Sequence, residues 1–100
     1  MPDDLAITVR EDRKHPYLEL AGVIDVTTVP QLRKMLLDLT DGGHKEIEID
    51  LRDVELLDST GIGALAEAYR NGASLTLRNP SPMALRQLVM SGVDRVFRIK

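Results

Sequence analysis

The hundred residues contain no cysteine, which excludes disulfides, thiolate metal sites and cysteine nucleophiles together. There is no tryptophan, and only Tyr17, Tyr69 and Phe97 are aromatic, so the core must come from Leu, Ile, Val, Met and Ala. An excess of positive charge is also missing. Thirteen Lys and Arg stand against sixteen Asp and Glu, with the signs interspersed and a net charge of -3, which leaves no footprint for direct binding of nucleic acid. No apolar run approaches the ~20 residues of a membrane span. The start, Met1-Pro2-Asp3-Asp4, is acidic where a secretory signal needs positive charge. These absences point to a cytoplasmic protein that does not insert into a membrane. His15 and His44 are the two histidines, and no His or carboxylate cluster has ligand spacing, so neither a metal nor a cofactor is expected. No P-loop is present; Gly61-Ile62-Gly63 alone cannot cradle a phosphate chain.

What remains is an ordinary globular composition, 43% hydrophobic and 29% charged, of a length that supports one core. Residues 1–100 are accordingly read as a single domain. Leu5, Ile7 and Val9 alternate with polar or small neighbours and predict a first strand. A charged connector, Glu11 to Pro16, leads to a second strand over Tyr17 to Val23, most simply its hairpin partner. Val29, Leu32, Leu36 and Leu39 form a helical stripe, with Thr27 or Thr28 as cap and Pro30 in the first turn; Gly42-Gly43 stops it. Residues 46–51 alternate as a half-buried strand. After Asp58, the positions Ile62, Leu65, Ala66 and Tyr69 recur at helical spacing, ending at Asn71-Gly72. Ser74 to Arg78 is another brief strand. Ser81 then caps a helix whose buried face is Leu85, Leu88 and Val89, and which Ser91-Gly92 terminates. Val96, Phe97 and Ile99 form a last strand or a packed tail.

Helices alternating with strands after a hairpin predict an α/β domain with a mixed sheet and right-handed crossovers. Sites in such sheets form where strands run into helices, which singles out Gly22 to Thr28 and Val54 to Gly63. Asp58-Ser59-Thr60-Gly61-Ile62-Gly63 is the most informative stretch. A hydroxyl at a helix start can cap backbone N–H groups, and a phosphate placed there would meet the positive end of the helix dipole. On local grounds Ser59 or Thr60 as a plain N-cap is the simpler reading. Asp58 reads as an Asx turn or an extra cap, Asp25 as a turn residue or a functional carboxylate. Gly63 is read as close packing, and Gly61 as packing or as exposed backbone for a docking partner. A hydrolase needs a base near Ser59, but the elbow motif is absent and both histidines fall at the other ends of their strands. The chain is therefore not read as an enzyme.

Leu20-Ala21-Gly22-Val23-Ile24-Asp25, Asp50-Leu51-Arg52-Asp53-Val54 and Leu57-Asp58-Ser59-Thr60-Gly61-Ile62-Gly63-Ala64-Leu65 together resemble the STAS domain, and specifically the single-domain bacterial anti-sigma factor antagonists. Asn79-Pro80-Ser81 and Leu88 to Phe97 resemble the later segments of that family, so the similarity runs from Leu5 onward. The resemblance implies a STAS fold with a mixed sheet of about four or five strands opened by a hairpin and about three helices on it. It implies an antagonist that binds an anti-sigma factor acting as a serine kinase, is switched off by phosphorylation at Ser59 (less readily Thr60), and is reset by a serine phosphatase. Sigma-factor-dependent transcription is thereby controlled. The partner-binding residues it implies are Asp25, Asp58, Ser59, Thr60, Gly61, Ile62 and Gly63. The alternative carried with it is a STAS accessory subunit of a lipid ABC transporter, or a component of another STAS signalling assembly. Two departures stand out. The second helix is about a turn shorter than usual in that family, and the sequence stops at Lys100, where relatives often continue into a terminal helix.

Overall fold

The strand-forming and helix-forming signals translate directly into elements in the computed structural model, which describes residues 5–10 and 13–100. Met1 to Asp4 and the Glu11-Asp12 part of the charged connector lie outside the described residues. The order is β1 (Leu5–Arg10), β2 (Tyr17–Ile24), α1 (Val29–Asp41), β3 (Glu46–Leu57), α2 (Ser59–Arg70), β4 (Ser74–Arg78), α3 (Pro82–Met90), a 3-10 turn (Val93–Arg95) and β5 (Arg98–Ile99). The strands form one sheet in the order β1-β2-β3-β4-β5. β1 and β2 make the expected antiparallel hairpin, with Leu5 opposite Gly22 and Arg10 opposite Tyr17. The other three pairings are parallel, each bridged by one helix.

Register explains the core. Leu18, Ile49 and Leu77 lie on one rung, and Ile47 and Leu75 on the next; all are at most 2% exposed. Leu32 and Leu36 of α1, Leu65 of α2 and Leu88 of α3 close over that face. Fully burying each such side chain stabilises the fold by roughly 1.5–3 kcal/mol relative to exposure. Methionine contributes only at the margin: Met35 and Met83 are partly buried against a core of Leu, Ile, Val and Ala.

The third strand is longer than its alternation indicates. Periodicity predicts 46–51, yet β3 continues to Leu57. Between Asp50 and Leu56 the pairing with β2 shifts twice, so β3 carries two extra residues against its neighbour. Each bulge breaks the two-residue period, and the buried positions become Leu51, Val54 and Leu57. Gly22, at φ 108, sits at the second shift.

Two helical stripes also differ from the expected ones. On α2 the buried residues are Gly61, Ile62, Ala64, Leu65 and Ala68, while Tyr69 is 48% exposed and meets the edge of the Phe97 ring. Gly61 and the small side chains of Ala64 and Ala68 let the helix lie close to the sheet, so these positions, not Tyr69, face inward. On α3 Ala84 and Leu88 are buried, whereas Leu85 and Val89 are 40% and 52% exposed. Apolar character alone misplaced the stripe there, because Ala84 takes the inner position. Ser81 does cap α3, accepting from the Ala84 N–H, and its hydroxyl donates to the Val54 carbonyl.

Candidate functional site at the β3 to α2 turn

β3 and β2 end side by side, with Ile24 opposite Leu57, so the loops that follow them share one end of the sheet. The junction is tied by Asp58, whose N–H donates to the Ile24 carbonyl at 3.2 Å. Asp58 is the N-cap of α2. Its backbone is extended (φ -103, ψ -174), and its Oδ1 accepts from the N–H groups of Thr60 (2.9 Å) and Gly61 (3.2 Å). The Thr60 hydroxyl donates to the same oxygen. The expectation that Ser59 or Thr60 caps the helix is thus corrected. A carboxylate one residue earlier reaches the free N–H groups and leaves no capping role for the hydroxyls.

Ser59 is the first helical residue and is exposed. Its hydroxyl makes no hydrogen bond to any described group. Thr60, half-buried, has its hydroxyl committed to Asp58. Adjacent hydroxyls therefore differ in availability, a distinction invisible in the sequence.

The Thr60 hydroxyl bond, reinforced by the Gly61 and Thr60 N–H groups and opposed by partial burial, holds the Asp58 carboxyl below the usual carboxylate range. Its folded pKa lies below its unfolded value of 3.8. The unfolded chain therefore binds the proton first, and the cap's contribution is complete above the unfolded value and lost as pH falls through the folded one. Asp50 adds to the same acid limb: burial pushes its carboxyl up, but bonds from the Arg52 N–H, Tyr17 and Asn79 outweigh that and hold it low. Denaturant titration from about pH 6 to pH 2 is expected to show stability falling below about pH 4, with a shallower fall in Asp58→Asn. An identical acid limb in that variant would contradict the assignment of the cap.

Asp25 lies in the neighbouring loop, where its Oδ1 accepts from the N–H groups of Thr27 (3.0 Å) and Thr28 (3.1 Å). Its own N–H donates to the Thr28 hydroxyl, which in turn donates to the Val23 carbonyl at 2.8 Å. Thr28 occupies the N-cap position of α1, yet its hydroxyl caps no helical N–H; it ties the turn back to β2. Asp25 is thus an Asx-turn residue whose second oxygen has no hydrogen bond among the described residues.

Of the two readings open for Gly61, packing is the one that holds, and the packing expected at Gly63 is absent. A Cβ on Gly61 would stand 2.6 Å from Ile24 Cγ2 and 2.7 Å from Leu57 Cδ1, so close packing is the reason for that glycine. A Cβ on Gly63 would meet nothing within 4 Å beyond its own helix, which corrects the packing role expected there. Ile62, 7% exposed, belongs to the core cluster. Two apolar residues that pattern analysis did not single out stand at this end: Val26, 70% exposed in the Asp25 loop, and Leu56, 44% exposed and paired with Val23. The register shift hides Leu56 from any alternation count, and a lone valine in a turn carries no period.

The histidines are remote. His15 precedes β2 and lies 3.5 Å from Glu46 at the start of β3, the opposite end of a 12-residue strand from Ser59. At about 3.3 Å per residue, the eight residues of β2 that run alongside put the two ends more than about 20 Å apart. Among the described residues no three His, Asp or Glu side chains gather as a metal would require. The site is an exposed hydroxyl at the positive end of a helix, with the Asp58 and Asp25 carboxylates at the same end of the sheet.

A hairpin-opened mixed sheet with this turn at the end of its central strand is the architecture of a STAS domain. The family model described as "Mlab, STAS domain" matches residues 7–99, and the chain belongs to that family. It is 30% identical to the anti-sigma-B factor antagonist of Bacillus subtilis (strain 168), over 96% of this chain and 91% of the relative. To the anti-sigma-B factor antagonist of Staphylococcus aureus (strain NCTC 8325 / PS 47) it is 33% identical, over 96% and 93%. The crystal structure of an anti-sigma factor antagonist from Mycobacterium paratuberculosis superposes with a TM-score of 0.83 at 26% identity, covering 99% of this chain and 87% of that one. No helix among the described residues is long and apolar enough to cross a membrane.

Proposed function

We propose that this chain is an anti-sigma factor antagonist that binds an anti-sigma factor with serine kinase activity and is released when Ser59 is phosphorylated. A serine phosphatase returns it to the binding form, and the cycle controls transcription that depends on the sigma factor. The observation that carries this reading is the contrast between Ser59, exposed and without a hydrogen-bond partner, and Thr60, whose hydroxyl is held by Asp58. Similarity to named anti-sigma-B factor antagonists over nearly the whole chain supports it.

The physics of the switch follows from the site. A phosphate adds nearly two negative charges and three strong acceptors. At the first position of α2 it meets the positive end of the helix, so the fold tolerates it. On the surface the charge stands beside Asp58 and the Asp25 loop, and a partner fitted to a neutral hydroxyl would have to bury it. An uncompensated buried charge costs several kcal/mol. In this reading Asp25, Asp58, Ser59 and Thr60 form the polar centre of the covered surface, with Gly61 and Ile62 supporting it from beneath. Incubation with each anti-sigma kinase of the same genome and ATP, followed by mass-spectrometric mapping, is expected to place the phosphate on Ser59. Label confined to Thr60, or none at residues 58–63, would overturn the proposal.

A further inference from the structure

The two histidines have no part in the Ser59 turn, yet they meet each other. His15, at the end of the charged connector, and His44, between α1 and β3, line one open cavity of about 300 Å³ at the opposite end of the sheet. Arg10, Arg13 and Lys14 line it as well, and no carboxylate among the described residues does. Val9, Pro16 and Leu39 complete the lining, with Val9 and Leu39 partly buried against the core. The chain has a net charge of -3, so this cavity carries the opposite sign to the molecule as a whole.

Its cations are held in place by groups outside the cavity. Arg10 donates to Glu19 on the neighbouring strand at 3.3 Å, and His15 stands 3.5 Å from Glu46. The Arg13 guanidinium sits over the Tyr17 ring, 4.2 Å from its centroid. Tyr17 is buried and its hydroxyl donates to Asp50 at 2.9 Å, so that platform is fixed from below. A guanidinium seated on a ring face keeps its in-plane N–H fork for an anion. Among the described residues neither Arg13 nor Lys14 has a carboxylate partner. With Arg10 paired to Glu19, these two leave two positive charges, the complement of a phosphate monoester with nearly two negative ones. His15 and His44 each add an N–H donor for its remaining oxygens. We propose that this cavity binds a small organic phosphate, its phosphoryl group on Arg13, Lys14 and the two histidines, its carbon part against Val9, Pro16 and Leu39. The volume is at the lower end of small-molecule sites and leaves room beyond the phosphoryl group. A carboxylate would bring half the charge and one oxygen fewer.

The test is an NMR titration of the full chain, isotope-labelled, with phenyl phosphate, inorganic phosphate and benzoate as probes. Phenyl phosphate is expected to give saturable shifts at the amides around Arg13 to Tyr17 and His44 and at both imidazoles, and none at Asp58 to Gly63. Inorganic phosphate, which lacks the apolar part, should bind about tenfold more weakly. Arg13→Ala and Lys14→Ala, both exposed positions in a connector, should each weaken phenyl phosphate about tenfold while the melting temperature stays unchanged. Shifts that do not saturate, shifts centred on Asp58 to Gly63, or wild-type affinity in both variants would overturn the site. Equally tight binding of inorganic phosphate or of benzoate would overturn its assignment to an organic phosphate.

Discussion

Ser59→Asp is expected to weaken binding to the anti-sigma kinase by about a hundredfold or more, since each ~1.4 kcal/mol is a factor of ten and an unpaired buried charge costs several. The melting temperature should stay within about 3 °C of wild type, because an acidic residue in the first turn of a helix complements the dipole. No native hydrogen bond is lost, as the Ser59 hydroxyl has no partner among the described residues. Ser59→Ala provides the opposite case: it should bind like wild type and remain bound in the presence of ATP. Calorimetric titration of the three proteins into the kinase, alongside thermal melts, measures both effects. Wild-type affinity in the Asp variant would show that charge at this position does not drive release.

Gly61→Leu is expected to have the largest effect on stability of any single substitution in the turn. The first added carbon would already lie 2.6 Å from Ile24 Cγ2 and 2.7 Å from Leu57 Cδ1, both on fully buried side chains. Ile24 is β-branched and cannot readily turn aside. Ile24 and Leu57 face each other across the β2–β3 pairing, so pushing them apart strains the junction that Asp58 ties together. Overpacking of this kind costs about 3 kcal/mol, or roughly 12–20 °C of melting temperature in a domain of this size. Circular dichroism melts decide it, and an unchanged midpoint would contradict the packing described.

The hairpin, the parallel strands and the capped start of α3 were legible because each is a local signal: alternation in Leu5, Ile7 and Val9, the Pro30 and Pro82 helix starts, and Ser81 as cap. The length of β3 was not legible, because two bulges erase the alternation after Asp50 and move the buried positions to Val54 and Leu57. The stripes on α2 and α3 were misread for a related reason. Small residues such as Ala64, Ala68 and Ala84 take the inner positions and leave Tyr69, Leu85 and Val89 outside. Within the site, residue identity placed Asp25, Asp58 and Ser59 together. It could not say which hydroxyl was free, because that depends on Asp58 adopting an extended conformation and drawing in Thr60. Nor could spacing distinguish the glycine pressed against Ile24 from the one facing open space. Those answers lie in three-dimensional neighbours.

The central claim is that one phosphate on Ser59 separates this chain from its partner. It is tested most directly by titrating the same protein into the kinase before and after stoichiometric phosphorylation, and again after phosphatase treatment. Loss of binding by about a hundredfold on phosphorylation, recovered in full on dephosphorylation, is the predicted result. Equal affinity in all three states would contradict it.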